Sequence, residues 1–165
     1  SPGANLGVDL LPGSLGYDGS QPPPADLAAR ILWLDAFTAN VDRTWSNPNL
    51  LTWHRRTWLI DHGAALYFHH SWPSRAPAPE RFANQPFRAD DHVLAGVATD
   101  LPGAHAELET QVTPGLVADV LGEVPDDWLE TTEDLTDAAT VRAAYAEHLL
   151  GRLRTPHVWL PGGAA

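Results

Sequence analysis

The sequence predicts an α+β fold that is mainly helical and carries one small β-hairpin. Three observations support this prediction. Apolar residues recur at helical spacing between residues 25 and 37. Residues 50–60 are typical of two short strands around a turn at His54-Arg55-Arg56. After residue 88, helix-start signals and a 3.6-residue period replace strand alternation, so we expect helix to dominate there.

The first quarter of the chain predicts one strand followed by one long helix. Residues 1–24 are rich in glycine and proline, apart from a predicted strand at Val8–Leu11. The predicted helix runs from Ala25 to about Phe37, with Leu27 and Ile31 on its apolar face. A helix this apolar is expected to be largely buried.

Turn and helix-cap residues predict the elements after residue 64. Residues 64–92 are rich in proline and lack periodicity, which predicts an irregular, partly mobile loop. Thr113-Pro114 predicts a helix start, and Gly122 predicts the end of that helix. The last helix is expected from about Asp137 to Leu153, with Thr136 as its cap.

The amino-acid composition limits the classes of protein to which the chain can belong. A chain of 165 residues with 44% hydrophobic residues fits one domain with a sizeable core. The absence of cysteine excludes disulfides and thiol catalysis. No apolar run approaches the length of a membrane span. We therefore expect a cytoplasmic protein that has no membrane partner.

The negative charge is concentrated in one part of the chain. The net charge is −11, and residues 90–147 hold fourteen acids and one arginine. Binding to nucleic acid requires a basic face, so no nucleic-acid partner is expected. The acidic stretch is interpreted as a solvated surface.

Two motifs nineteen residues apart predict chemistry. Asp42 is followed by Asn47, and an apolar strand then leads into Asp61-His62-Gly63. In phosphoryl transfer, one carboxylate can take the proton of an attacking hydroxyl, while an amide oxygen and a second carboxylate hold Mg²⁺. The alternative is a pair of unrelated turns built from common turn residues.

The motif residues resemble known kinases. Asp42-Arg43-x-x-x-Asn47 with Ile60-Asp61-x-Gly63 is similar to the catalytic and metal loops of phosphatidylinositol 3- and 4-kinases. Asn40-Val41-Asp42 with Asn47 resembles the HipA-type kinases, and much of residues 1–130 is similar to actinobacterial HipA-like proteins. The resemblance implies the C-terminal lobe of a protein-kinase-like domain, with ATP and Mg²⁺ as cofactors and a protein hydroxyl as acceptor.

The same resemblance assigns roles to single residues. Asp42 would be the catalytic base, with Arg43 steadying the loop or neutralising phosphate charge. Asn47 and Asp61 would hold the metal. The strand with Asp9 and Leu11 would lead to the hinge that meets the adenine ring. Trp45 is the best candidate among the tryptophans for a wall of the nucleotide or acceptor pocket, although such residues usually pack in cores.

The kinase resemblance also implies a division of the chain. Residues 1–24 would form the hinge-like strand and linker, 25–63 the catalytic core, 64–92 an activation-segment-like loop, and 93–160 a helical subdomain. The sequence holds no lysine and no glycine-rich phosphate loop. We therefore expect the whole chain, 1–165, to be a single C-terminal lobe whose N-terminal lobe is missing or supplied by another chain.

Three alternatives remain at this point. The first is a pseudokinase that binds nucleotide or a partner without turnover, which the missing lysine favours. The second is a lipid kinase, which the acidic surface disfavours. The third is a non-enzymatic helical interaction domain. A zinc site at His62, His69 and His70 is disfavoured, because their spacing matches no zinc pattern. The sequence indicates no oligomeric state.

Overall fold

The computed structural model describes residues 7, 9–74 and 77–162. Within these residues, the helices are α1 (Ala25–Thr38), α2 (Pro79–Ala83), α3 (Leu101–Gln111), α4 (Pro114–Gly122), α5 (Ala138–Arg154) and α6 (Pro156–Trp159). The strands are β1 (Leu15–Gly16), β2 (Leu50–Trp53) and β3 (Arg56–Leu59), and 3₁₀ turns occupy Tyr67–Ser74 and Asp126–Trp128. The predicted mainly helical α+β class is confirmed.

Helix α1 is the centre of the core, as its apolar sequence predicted. Trp33 and Phe37 are buried and stack on each other with ring centroids 4.9 Å apart. Leu101 of α3 and Trp159 of α6 complete this cluster. The helix ends at Ala39, whose left-handed backbone (φ 54°) turns the chain into the first motif. The core therefore fixes where the motif loop starts.

The small sheet joins the two motif loops. Strands β2 and β3 pair antiparallel from Leu50↔Leu59 to Trp53↔Arg56, so the predicted hairpin is confirmed. Its turn residues, His54 and Arg55, both have positive φ, which a two-residue type I′ turn requires. The sheet order is β1-β2-β3.

The predicted strand at Val8–Leu11 is wrong where it can be assessed. Val8 lies outside the described residues, and residues 9–11 form no strand. Leu11 instead begins a tight turn, in which its carbonyl accepts from the Ser14 amide at 3.1 Å. The strand comes after this Pro-Gly turn, at Leu15–Gly16, where β2 offers a free edge.

The C-terminal helices pack around α5. Gly151 lets α5 approach α2 closely, because a Cβ atom at Gly151 would lie 2.9 Å from the Cβ of Ala83. The predicted start of α4 is confirmed, with the Thr113 side chain accepting from the Leu116 amide. The predicted cap of α5 is wrong by one residue: Asp137, not Thr136, accepts from the Thr140 amide at 2.8 Å.

Within 64–92, the structure has the Tyr67–Ser74 3₁₀ turn and the short helix α2. No helix in the described part of the chain combines the length and the apolar character needed to cross a membrane.

Candidate active site

The site is built on Asp35, a buried carboxylate near the end of α1. It accepts from Arg43 Nε at 2.5 Å, from Asn40 Nδ2 at 2.8 Å and interacts with His92 Nε2 at 3.0 Å. All four side chains are buried. A buried carboxylate needs such partners, since an unpaired charge in the interior is costly.

The hydrogen bonds define the protonation state of this network. His92 Nδ1 accepts from the Leu94 amide at 3.1 Å, so it carries no proton. The proton is then on Nε2, which donates to Asp35. Burial acts to raise the pKa of Asp35, but hydrogen bonds from His92, Arg43 and Asn40, with the charge of Arg43, outweigh it and hold the pKa below its ordinary value. Asp35 is therefore an anion paired with Arg43.

Arg43 connects this network to the hairpin. Its Nη1 donates to the carbonyl of Asn49, which also accepts from the Ile60 amide at 3.0 Å. Asn40 Oδ1 accepts from the Asp42 amide at 3.3 Å on the other side of the network. The loop that carries Asp42 is thus held by hydrogen bonds of two buried side chains, Asn40 and Arg43.

The two sequence motifs meet at Asn49. The side-chain amide of Asn47 donates to Asp42 Oδ2 at 2.7 Å. Asn49 Nδ2 lies 3.4 Å from the same oxygen and 3.4 Å from the backbone carbonyl of Asp61. The structure therefore brings Asp42, Asn47 and Asp61 into one neighbourhood. Within the described chain, both amide contacts fall on Oδ2, which leaves Oδ1 of Asp42 to accept a proton.

Asp61 is presented on an exposed, tightly turned segment. Its backbone is left-handed (φ 47°), and its Oδ1 accepts from the Gly63 amide at 3.1 Å. A Cβ atom at Gly63 would lie only 3.1 Å from that Oδ1, so glycine suits this conformation of the carboxylate. The neighbouring His62 has a lowered pKa, mainly through burial and also through the charge of Arg43. His62 is therefore uncharged near neutral pH.

The donor set at this site fits a magnesium ion with few protein ligands. The described residues contain no group of three or more His, Cys, Asp or Glu side chains that could hold a metal by themselves. Mg²⁺ in phosphotransferases needs only one or two carboxylates, with water and phosphate oxygens completing its shell. Because the amide nitrogen of Asn47 faces Asp42, its Oδ1 is the atom that could accompany Asp61.

Comparison with known proteins identifies the family. The model of a family described as HipA-like kinase matches residues 14–161, which is most of the chain. The chain belongs to the HipA-like kinase family. No curated protein and no solved structure matches it.

Three further residues, Trp45, Asp9 and Leu11, were expected to contact a nucleotide or an acceptor. Trp45 is 62% exposed and stacks on Tyr17 with centroids 6.1 Å apart. Leu11 precedes Pro12, whose carbonyl accepts from Trp53 Nε1 at 2.9 Å, and the Asp9 carboxylate accepts from the Leu10 amide at 2.9 Å. Their roles toward a nucleotide stay predictions.

A cleft of about 520 Å³ opens beside the loop that carries Asp42. One wall is residues 39–41 with Arg43 and Thr44, and the opposite wall comes from the 67–68 and 82–88 segments and from α5. The sequence did not indicate this cleft, because its walls are far apart in the chain.

Two buried polar residues of α5 line this cleft. His148 is 0% exposed, and neither ring nitrogen makes a hydrogen bond of normal geometry in the described structure, although the backbone of Pro79 lies near enough to act on the ring. Burial and the nearby charge of Arg152 lower the pKa of His148 to about 3, while the Pro79 backbone raises it slightly. The imidazole is therefore neutral at physiological pH.

Sequence reasoning missed Asp35, Asn49 and the site role of His92. One signal was available, since Asp35 is a charged residue inside the apolar run Leu34-Asp35-Ala36-Phe37. A carboxylate at a buried helix position requires a buried partner. The identity of that partner could not be read from the sequence, because His92 is 57 residues away.

Proposed function

We propose that this HipA-like kinase transfers the terminal phosphoryl group of ATP to a hydroxyl of a protein, with Mg²⁺, at Asp42, Asn47 and Asp61. The observation that carries the proposal is the position of Asn49. Its side-chain amide lies 3.4 Å from both the Asp42 carboxylate and the Asp61 carbonyl. Two motifs whose residue types suit phosphoryl transfer therefore lie close together, next to a buried ionic network.

The proposed roles follow from which atoms are already engaged. Asp42 Oδ2 is held by the amides of Asn47 and Asn49, so Oδ1 would accept the proton of the acceptor hydroxyl. Asn47 and Asp61 would hold Mg²⁺. When bound, Mg²⁺ and ATP supply the phosphoryl group and neutralise its charge.

Arg43 acts as a positioning residue in this proposal. It is 1% exposed, and its donors are directed to Asp35 and to the carbonyl of Asn49. A guanidinium engaged in this way steadies the loop, and of the two roles expected from the sequence this one is favoured over neutralising phosphate.

The two ends of the hairpin indicate how a bound nucleotide would be oriented. The site begins at the Leu50 end of β2, whereas Pro12 contacts Trp53 at the opposite end, about 10 Å away at the rise of a strand. A nucleotide lying along the hairpin would place its phosphates near Asp61 and its base near Asp9 and Leu11.

A module that binds nucleotide or a partner without turnover is the second candidate. The observation in its favour is that the sequence contains no lysine. Kinases place a lysine on the phosphates, so turnover would need another lobe or an arginine in that position. A cytoplasmic location and an N-terminal lobe as partner stay predictions.

Calorimetry of ATP binding tests the metal assignment in the intact natural protein. Wild type should bind ATP more tightly with Mg²⁺ than without it. Asp61→Asn should lose this tightening, since it removes a charged metal ligand, and asparagine tolerates the left-handed backbone at this position. Asp119→Asn, at an exposed position on α4, is the matched control.

Two outcomes would count against the proposal. If Asp61→Asn keeps the full effect of Mg²⁺, Asp61 is not a metal ligand. If wild type binds no ATP at any Mg²⁺ concentration, the phosphotransferase proposal fails, and a non-enzymatic domain becomes the better description.

A further inference from the structure

A second cavity, of about 170 Å³, is walled by aromatic rings and one carboxylate. It shares no lining residue with the larger cleft. Its walls come from the Tyr67–Ser74 turn, from the loop that follows Asp126–Trp128, and from α5. The kinase proposal assigns nothing to this cavity.

The rings form a connected group. Trp72 and Tyr145 lie with centroids 4.9 Å apart, and His69 lies 6.0 Å from Tyr145. A hydrogen bond of 2.8 Å between the Tyr145 hydroxyl and His69 Nδ1 fixes the two rings relative to each other. Trp72 is buried, whereas Trp128 is 42% exposed, so the aromatic wall extends from the interior to solvent.

Glu130 places a negative charge at these rings. Burial and then the charge of Glu130 raise the pKa of Tyr145 to about 12. The same carboxylate acts to raise the pKa of His69, although burial and His70 together lower it. His69 is therefore uncharged at neutral pH and does not oppose a bound cation. The cavity combines π faces with one exposed anion.

We propose that this cavity binds the side chain of an arginine or lysine from a basic partner protein. Ring faces attract a cation through their quadrupoles, and Glu130 adds a direct charge interaction. The volume suits the head group of one side chain and is far too small for a folded segment. An anion would meet Glu130 and no arginine or lysine side chain among the residues that line the cavity.

The surroundings also favour a basic partner. Residues 90–147, which supply Trp128, Glu130 and Tyr145, hold fourteen acids and one arginine. That arginine, Arg142, is engaged by Asp126 and by the carbonyls of Leu121 and Val124. The acidic surface would attract a basic segment over a distance, and the cavity would hold one of its side chains.

NMR titration of the full chain with small probes tests this inference. N-acetyl-arginine methylamide and N-acetyl-lysine methylamide should shift the indole signals of Trp72 and Trp128 at millimolar concentration. The citrulline analogue has nearly the shape of arginine without its charge, and it should bind roughly tenfold more weakly. Equal affinity for arginine and citrulline, or no shift up to the solubility limit, would overturn the inference.

Two variants separate the cavity from the general acidity of the surface. Glu130→Gln should weaken arginine binding roughly fivefold, because it removes the charge at the rings. Glu133→Gln removes an equal charge from an exposed position of the same loop that does not line the cavity, and it should change affinity little. If both variants weaken binding equally, the interaction is with the acidic surface and the cavity proposal is wrong.

Discussion

Two arginines are equally buried in this protein, and they are accommodated in different ways. Arg43 and Arg152 are each 1% exposed. Arg43 is paired with the carboxylate of Asp35. Arg152 has no acidic side chain within 4 Å in the described chain and donates to the backbone carbonyls of residues 36, 82, 83 and 85. Its guanidinium also lies 4.7 Å from the Trp159 ring centroid.

The difference shows that Arg43 positions a loop, whereas Arg152 links several elements of the core. The Asp35–Arg43 pair is neutral overall and holds the loop that presents Asp42. Arg152 keeps its charge, although burial lowers its pKa to about 10, and it connects α1, α5 and the end of α2 through carbonyl contacts. Burial, together with the charge of Arg152, lowers the pKa of His148 and keeps its imidazole neutral. The two regions should therefore respond differently when one group is removed.

Breaking the Asp35–Arg43 ion pair should have the largest effect on stability. Asp35→Asn leaves the Arg43 guanidinium buried without a counter-charge, which should lower the free energy of unfolding by about 3–5 kcal/mol. Urea unfolding at pH 7 measures this, with exposed Asp119→Asn as control. Asp35→Leu combined with Arg43→Met should recover part of the loss, since no charge is left unpaired. A loss under about 1 kcal/mol for Asp35→Asn would contradict the pairing.

Replacing Arg152, which has no carboxylate partner in the described structure, should lower the free energy of unfolding by a smaller amount. Arg152→Met takes away the charge itself and leaves carbonyls that water can reach from the 520 Å³ cleft, so we expect a loss of about 2 kcal/mol. Arg154→Met, at an exposed position two residues on, is the matched control in the same unfolding experiment. If Arg152→Met is more damaging than Asp35→Asn, the comparison of the two arginines is wrong.

His148 should make stability depend on pH. Its pKa falls from an ordinary value of 6.5 to about 3 in the folded protein. Below pH 6.5, His148 binds a proton in the unfolded chain but stays unprotonated in the folded chain. The contribution of His148 to the free energy of unfolding is therefore fully present above pH 6.5 and declines toward pH 3. Between pH 7 and pH 5, the unfolding free energy should fall by about 2 kcal/mol from this group.

The variant His148→Leu should remove this part of the decline. It should also leave stability at pH 7 nearly unchanged, because the imidazole nitrogens make no hydrogen bond of normal geometry in the described structure. Exposed His157→Gln is the control. An undiminished decline in His148→Leu would show that other groups cause it.

The smallest expected effect is at the start of α5, the helix that carries both His148 and Arg152. Asp137→Ala removes the side chain that accepts from the Thr140 amide, which should cost about 1 kcal/mol. Thr136→Ala should cost less than about 0.5 kcal/mol, because Thr136 is not the cap. Thermal unfolding compares the two, and the reverse order would restore the cap expected from sequence.

Sequence reasoning succeeded where the signal is local. The period of α1, the paired strands of the hairpin and the Thr113-Pro114 start of α4 each depend on neighbouring residues, and each was confirmed. It failed where two similar residues compete, as Thr136 and Asp137 do for the cap of α5. It also failed at β1, where the position of a two-residue strand depends on the edge that β2 offers.

The candidate site was predictable only in part. The types and spacing of Asp42, Asn47 and Asp61 indicated the chemistry, and the structure brings these residues together. The support beneath them was not predictable, since Asn49 and His92 act through contacts across 7 to 57 residues that no short-range pattern records. The roles of the site residues stay predictions.

Phosphoryl transfer by Asp42→Asn tests the central proposal most directly. Transfer from labelled ATP to a protein hydroxyl is measured in the intact natural protein, beside ATP affinity. Asparagine can still accept from Asn47 but cannot take a proton, so transfer should fall by about 10²–10⁴-fold while ATP affinity is retained. Transfer at the wild-type rate would contradict the assignment of Asp42. A wild type that binds ATP but transfers nothing would instead support a module without turnover.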